Sequence, residues 1–196
     1  MVLYILMITL DITGSLAKAI TASKGIPDQE LTGQFTSMKR YINDFLKERE
    51  AGEHGWSMNP YDKSMIDQVR EAAMRIKTEK IRTVVWIGIG GSGLGPKVIQ
   101  EVFESPDTIE FILLDTIDPA VLDLYSKIVD WKQTLVVVAS KSGGTLEPMS
   151  VFGLCWSLLK QATGDKAADR VIALTDPDAG KLRSFSLENG ITMLPI

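Results

Sequence analysis

The apolar positions of this chain follow two different patterns. Apolar residues recur at spacings of three and four over residues 31–50 and again over 62–78, which is the pattern of amphipathic helices. We interpret both apolar stripes as faces that pack into a core. After that, short runs rich in Val, Ile and Leu alternate with amphipathic stretches. Residues 1–80 are therefore predicted to form a helical extension, and residues 81–196 a separate domain.

The second part is predicted to be an α/β domain with a doubly wound, mainly parallel five-stranded sheet flanked by helices. Its apolar runs lack strict polar alternation, which is typical of strands covered on both faces, and strands that alternate with helices favour a parallel sheet. The predicted strands are 83–87, 109–114, 134–139, 171–174 and 191–194. The predicted helices between them are 96–103, 119–129, 146–161 and 179–187. Ligands of such sheets bind outside the carboxyl ends of the strands.

The composition excludes several classes of function. The 196 residues include 21 Lys and Arg against 25 Asp and Glu, a net charge of -4, so no broad positive surface exists for a nucleic-acid backbone. One cysteine, Cys155, and one histidine, His54, exclude a disulfide framework and the usual zinc sites, and no metal is expected. We interpret Cys155 as a buried, inert thiol and expect a reducing, cytoplasmic compartment. The apolar run 1–10 is too short to span a bilayer, so no membrane partner is expected.

A glycine-rich segment follows the first predicted strand. Residues 88–95 read GIGGSGLG, and these five glycines let the backbone approach a ligand closely, with amides free to donate toward an anion at a helix N-terminus. The same residues fit a dinucleotide fingerprint through Gly88, Gly90 and Gly93, with Asp115 after the next strand. Spacing leaves both interpretations open, a phosphate cradle and an NAD(P)-dependent dehydrogenase.

A second polar segment follows the third predicted strand. Residues 140–145 hold three hydroxyls, one ammonium and two glycines. A phosphate dianion needs several short donors and a compensating charge, which this set supplies: Ser140, Lys141, Ser142 and Thr145. Thr145 is also suited to cap the next helix. Because dinucleotide binding does not require a second hydroxyl-rich loop, the pair of segments favours a phosphorylated small molecule over a nicotinamide cofactor.

Together the two segments resemble the two motifs of the phosphoglucose isomerase family, within the sugar isomerase (SIS) fold. GIGGSGLG at 88–95 and SKSGGTLEP at 140–148 occur in the family's order, about fifty residues apart. The resemblance covers the chain from about residue 60 to its end. It implies aldose-ketose isomerisation of glucose 6-phosphate and fructose 6-phosphate through a cis-enediol, a step of glycolysis and gluconeogenesis, with no metal or organic cofactor.

The resemblance also implies roles for individual residues. The substrate phosphate is expected to be bound by Ser140, Lys141, Ser142 and Thr145. The sugar or its phosphate is expected to be contacted by Gly90, Gly91 and Ser92. Glu147 is expected to order the second loop, and Pro148 stands where family members commonly carry a further hydroxyl. No catalytic residue is predicted within the chain, because the family's proton-transfer residues come from downstream sequence.

The resemblance therefore implies part of an enzyme. We expect residues 81–196 to be the SIS domain that binds the phosphosugar. A second SIS domain and a C-terminal region are expected outside this chain, so the chain by itself would be inactive. A stand-alone regulator that binds a sugar phosphate without catalysis is one alternative, and the NAD(P)-dependent dehydrogenase is another. Family members are commonly dimers, so a homodimer is a further expectation.

Overall fold

A computed structural model of the protein describes residues 11–78, 81–103 and 109–196. The described chain divides into two compact units, with the division between Pro60 and Tyr61. The apolar run 1–10, which we interpreted as structural, lies outside the described residues. Within the described ranges, no helix combines the length and the apolar character that crossing a membrane requires.

Regular helices and strands follow one another as the sequence predicts from residue 83 onward. The helices are α1 (Asp28–Glu50), α2 (Lys63–Thr78), α3 (Gly91–Phe103), α4 (Pro119–Ile128), α5 (Leu146–Thr163) and α6 (Lys181–Asn189). The strands are β1 (Thr83–Ile87), β2 (Glu110–Leu114), β3 (Thr134–Ser140), β4 (Val171–Thr175) and β5 (Thr192–Pro195).

The five strands form one sheet in the order β2-β1-β3-β4-β5, and every neighbouring pair is parallel. This confirms the predicted α/β fold with a five-stranded parallel sheet. The chain winds outward in opposite directions from β1 and β3, which makes the gap between them the topological switch point where ligands of open α/β sheets bind. Dinucleotide-binding folds have the strand order 3-2-1-4-5-6 instead. The topology therefore disfavours the dehydrogenase interpretation.

Both faces of the sheet are covered by helices. Central strand β3 is buried at all seven of its residues. One face packs against α4 and α5, where Phe152 and Leu159 are fully buried, and the other packs against α2 through Ala72 and Ile76. Fully burying an apolar side chain of this size contributes about 1.5–3 kcal/mol. Because α2 packs on the sheet, it belongs to the same compact unit, Tyr61–Ile196.

Helix α3 begins earlier than predicted, at Gly91 rather than at Pro96. Gly90 has a φ of +61°, which allows the chain to turn directly from the end of β1 into the helix. Pro96 thus lies inside the helix, where its missing N–H leaves the carbonyl of Ser92 without its usual donor. The indole Nε1–H of Trp86 donates to that carbonyl instead, over 2.7 Å. A side chain of β1 therefore replaces the lost helical hydrogen bond.

The apolar stripe of α1 is exposed, so the prediction that it packs into a core is wrong for the described residues. Phe35, Met38, Ile42 and Leu46 are between 41% and 55% exposed. Among the described residues of the N-terminal unit, α1 is accompanied by short 3-10 segments and irregular chain only. That unit therefore supplies no second apolar layer for the stripe.

Candidate functional site

A cavity of about 460 Å³ opens at the carboxyl ends of β1 and β3, at the switch point of the sheet. Residues at the ends of β1, β3 and β4, and in the loops and helix starts that follow them, surround it. They are Ile89, Ser92, Ala139, Ser140, Lys141, Ser142, Thr145, Pro148 and Asp176. The structure therefore brings the two polar segments of the sequence to one cavity, together with a third loop.

The loop after β3 is a tight turn that presents Lys141 and Ser142. The N–H of Gly143 donates to the carbonyl of Ser140 over 3.0 Å, which closes a four-residue turn. Gly143 has a φ of +60°, a conformation that favours glycine. Lys141 and Ser142 occupy the two central positions of the turn, and both line the cavity. An ammonium and a hydroxyl are thus presented side by side at the cavity.

Thr145 occupies the N-cap position of α5, but its side chain makes no capping hydrogen bond. A capping side chain usually accepts from the second or third helical N–H, and the third residue of α5 is Pro148, which has none. The hydroxyl of Thr145 instead lies 3.3 Å from the hydroxyl of Ser142. The capping role that the sequence allowed for Thr145 is therefore not realised, and its hydroxyl pairs with Ser142 at the cavity.

Ser140 ends β3 beneath this turn and is 4% exposed. Its hydroxyl is buried and has no hydrogen-bond partner among the described residues. A buried polar atom without a partner is costly, and such atoms are rare in folded proteins. Ser140 therefore lines the cavity as a residue, while its hydroxyl is buried and unsatisfied.

The loop after β1 reaches the cavity at Ile89 and Ser92. Gly91 and Ser92 are the first two residues of α3, and Ser92 lines the cavity. A Cβ atom at Gly93 would lie 2.4 Å from the carbonyl oxygen of Gly88, so the start of the helix packs directly on the end of the strand. At Gly90 and Gly91, by contrast, a Cβ would meet no atom of the described residues within 4 Å. Gly90 and Gly91, which the resemblance places at the substrate, are not among the residues that line the cavity.

The cavity gathers several groups that attract anions, although the whole chain has a net charge of -4 and the carboxylate of Asp176 also lines the cavity. Ser92 lies in the first turn of α3 and Thr145 at the N-terminus of α5, so two helix N-termini meet at one cavity. Helix N-termini carry a partial positive charge and unsatisfied N–H groups, which together bind anions. The ammonium of Lys141 adds a full charge. The arrangement is suited to a small anion with several acceptor oxygens.

Asp176, in the loop after β4, is the acidic residue that lines this cavity. Its carboxylate accepts the N–H groups of Asp178 and Ala179 over 2.8 and 3.0 Å. These two hydrogen bonds hold the pKa of the Asp176 carboxyl below its ordinary value, and the charge of Lys141 lowers it further. Asp176 is thus ionised at neutral pH and would repel a phosphate, which makes it an unsuitable phosphate ligand. The position of Asp176 directly after a predicted strand is a sequence signal for this edge of the sheet, whereas the adjacency of that strand to β3 is seen in the sheet order.

Three other residues that the sequence singled out lie away from the cavity or at its margin. Asp115, which the dinucleotide interpretation requires, follows β2 and is not among the residues that line the cavity. Glu147 is exposed in the first turn of α5, and its role in ordering the loop stays a prediction. Cys155 is 1% exposed, which confirms that its thiol is buried, and burial raises the pKa of the thiol to about 12, which favours the neutral, less reactive form.

The fold is a parallel α/β domain with a candidate anion site at the switch point of its sheet. The family model described as phosphoglucose isomerase matches residues 53–192 of the chain. That span is well over half of the chain and includes both cavity loops. The chain belongs to the phosphoglucose isomerase family, which confirms the resemblance carried by the two motifs.

Individual relatives support the same assignment. A glucose-6-phosphate isomerase of Thermus thermophilus is 32% identical over 142 residues, which cover 72% of this chain and 34% of the relative. One from Carboxydothermus hydrogenoformans is 29% identical over 161 residues, 76% of this chain and 34% of the relative. A crystal structure of a hypothetical protein from Thermus thermophilus is similar with a TM-score of 0.74 and 27% identity, over 86% of this chain and 40% of that one. The chain spans about a third of the length of these two curated relatives.

Proposed function

We propose that the cavity binds the phosphate of a hexose 6-phosphate, and that this chain is the phosphosugar-binding part of a glucose-6-phosphate isomerase. One observation carries the proposal: two helix N-termini, the ammonium of Lys141 and a group of hydroxyls converge on one cavity at the switch point. A phosphate dianion requires this combination of short donors and positive charge. The names of the matching relatives support the choice of sugar.

Each predicted ligand has a physical role in this proposal. Lys141 compensates the charge of the phosphate, and the hydroxyls of Ser142 and Thr145 donate to its oxygens. The backbone N–H groups of Gly91 and Ser92 lie in the first turn of α3, where helix geometry provides no intrahelical acceptor, and they donate to the phosphate or the sugar.

Three further residues support the site in less direct ways. Ser140, whose buried hydroxyl has no partner among the described residues, is assigned as a further donor to the bound ligand. Gly90 provides the positive φ that aims the first turn of α3 at the cavity. Glu147, an acidic residue at the positive end of α5, stabilises that helix end and so orders the loop before it.

The proposed reaction moves a proton between C1 and C2 of the open-chain sugar through a cis-enediol, without a metal or an organic cofactor. Such a transfer requires a base whose pKa lies near the working pH. Asp176 is the carboxylate at this cavity, and its lowered pKa makes it a weak base. We therefore assign proton transfer to parts of the whole protein outside this chain, a second SIS domain and a C-terminal region. In this assignment the 196-residue chain binds the substrate and does not convert it.

Thermal unfolding with added ligands tests the proposal. A ligand that binds the folded state alone raises the melting temperature, and a concentration of 100 Kd stabilises by about 2.7 kcal/mol. Fructose 6-phosphate is expected to raise the melting temperature of the chain, whereas fructose and NAD are expected to leave it unchanged. A rise with NAD and none with fructose 6-phosphate would support the dehydrogenase interpretation instead. No rise with either would contradict a phosphosugar site.

An isomerase assay tests the division of labour. A coupled assay of the 196-residue chain with fructose 6-phosphate is expected to show no turnover above the uncatalysed background. Turnover at the rate of an ordinary enzyme would contradict the assignment of proton transfer to other parts of the protein.

The same proposal includes a homodimeric whole protein in a reducing cytoplasm. Light scattering on the full-length protein tests its dimeric state.

A further inference from the structure

Thr175 lies outside both sequence motifs, yet it contacts the loop that carries the proposed phosphate ligands. It is the last residue of β4, is 2% exposed, and pairs in register with Ser140 at the end of β3. Its hydroxyl donates to the carbonyl of Ser140 over 2.9 Å. The same carbonyl accepts the N–H of Gly143 that closes the turn. Thr175 therefore holds the atom on which the turn of Lys141 and Ser142 closes.

The fit around this hydroxyl is tight. A Cβ atom at Gly143 would lie 3.0 Å from the Oγ1 atom of Thr175, so the turn passes directly over the threonine. Two backbone hydrogen bonds continue the attachment: Asp176 N–H donates to the carbonyl of Lys141 over 3.0 Å, and Leu182 N–H donates to the carbonyl of Gly143 over 2.9 Å. Three successive contacts thus fix the turn to the segment that runs from β4 into α6. Of the three, only the contact from Thr175 is made by a side chain and depends on residue type.

We propose that Thr175 is a positioning residue for phosphate binding: its hydroxyl fixes the turn after β3 so that Lys141 and Ser142 are presented to the ligand. The inference rests on the proposed function, because it requires that the turn binds phosphate. It goes beyond the motifs, since Thr175 is distant from them in sequence and reaches the turn only through the pairing of β3 with β4. A hydroxyl at this position is required, whereas the methyl group is not.

The test compares three substitutions at Thr175 with a matched control. Thr175→Val replaces the hydroxyl by a methyl of similar size, Thr175→Ser keeps the hydroxyl, and Thr175→Ala removes both groups. Thr134→Val is the control, because Thr134 is also fully buried in the sheet and its hydroxyl also donates to a backbone carbonyl, that of Asp130 over 2.8 Å. Thr134 begins β3, at the opposite end of the strand from the cavity.

The readout is the dissociation constant of fructose 6-phosphate for the 196-residue chain, measured by calorimetry, with the melting temperature recorded for each variant. The Val variant at Thr175 is expected to bind about tenfold more weakly, and the Ser variant to bind within about threefold of the wild type. The Thr134→Val control is expected to lose melting temperature like the Val variant at Thr175 but to keep its affinity. If the Val variant does not fold, the Ala variant takes its place, and the same loss of affinity relative to Ser is expected.

The outcomes separate this inference from the proposed function. Wild-type affinity in a folded Val or Ala variant at Thr175 would overturn the positioning role while leaving the phosphosugar site intact. An equal loss of affinity in Thr134→Val would also overturn it, because the effect would then follow from lower stability. A wild-type chain that does not bind fructose 6-phosphate would overturn the proposed function and this inference together.

Discussion

The two loops at the cavity are built in different ways. After β1, backbone packs on backbone, and a side chain at Gly93 would collide with the carbonyl of Gly88. After β3, side chains carry the proposed chemistry, and the turn that presents them is fixed by hydrogen bonds from Thr175, Asp176 and Leu182. Substitutions in the first loop are therefore expected to change mainly the stability of the fold, whereas substitutions in the second are expected to change mainly the affinity for the ligand.

The first loop is tested by a substitution that is expected to change the stability of the fold strongly. Gly93→Ala is expected to reduce the free energy of unfolding by about 1–3 kcal/mol, because the new methyl group overpacks the contact between α3 and β1. Gly95→Ala is the control in the same helix, since a Cβ there meets no atom of the described residues within 4 Å. That variant is expected to gain about 0.5–1 kcal/mol from helix propensity. Urea unfolding measures both, and equal stability of the two variants would contradict direct backbone packing.

Lys141→Ala tests whether the second loop acts on the affinity for the ligand. Loss of the ammonium is expected to weaken fructose 6-phosphate binding at least tenfold, about 1.4 kcal/mol, with little change in stability because the side chain is exposed. Lys132→Ala removes the same charge near the opposite end of β3 and is expected to bind like the wild type. Calorimetry measures both affinities. Equal affinity of Lys141→Ala and wild type would remove Lys141 from the site.

The core beneath the loops is expected to respond to pH through Cys155. Burial raises the pKa of this thiol to about 12, so the folded chain keeps it neutral where the unfolded chain ionises it. The resulting stabilisation is complete below the unfolded pKa, about 8.5, and is lost as the pH rises from there toward the folded pKa. Between about pH 8 and 9.5 the free energy of unfolding is expected to fall by about 1 kcal/mol more than in Cys155→Ala. Urea unfolding at the two pH values checks this, and parallel slopes would show that the thiol does not contribute.

Thr145→Ala has the smallest expected effect and separates a ligand from a cap. Because the Thr145 hydroxyl caps no N–H, its loss is expected to leave stability within about 0.5 kcal/mol while weakening fructose 6-phosphate binding about threefold. Asp118→Ala is the contrasting variant, since the Asp118 carboxylate accepts the N–H of Ala120 over 2.8 Å at the start of α4. That variant is expected to lose about 1 kcal/mol of stability. A larger stability loss in Thr145→Ala than in Asp118→Ala would show that Thr145 is structural.

Much of the fold follows from local pattern. The strands are predicted to within one residue because each buried apolar run is bounded by polar or glycine-rich sequence. The start of α3 was predicted wrongly because the glycine-rich segment has no apolar periodicity, and Pro96 resembles a helix start. The α1 stripe was also predicted wrongly to be buried, since an amphipathic pattern shows that a helix has an apolar face but not what covers it.

The candidate site was predictable where it consists of contiguous residues. Ser92 and the loop of Lys141 follow adjacent strands, and parallel strands bring their carboxyl ends to one edge of the sheet. Asp176 reaches the same cavity, and Thr175 reaches the turn after β3, through the register of β4 against β3. That register is a long-range property that local sequence does not specify. Pro148 lines the cavity and also removes one of the two helical N–H groups that Thr145 could have capped.

Amide chemical shifts during titration with fructose 6-phosphate show whether both loops hold one ligand. The amides of Gly90, Gly91 and Ser92 are expected to shift together with those of residues 141–145, with one shared dissociation constant, and fructose alone is expected to shift neither group. Shifts confined to one loop, different dissociation constants for the two loops, or no shifts at either loop would contradict a single phosphosugar site between them.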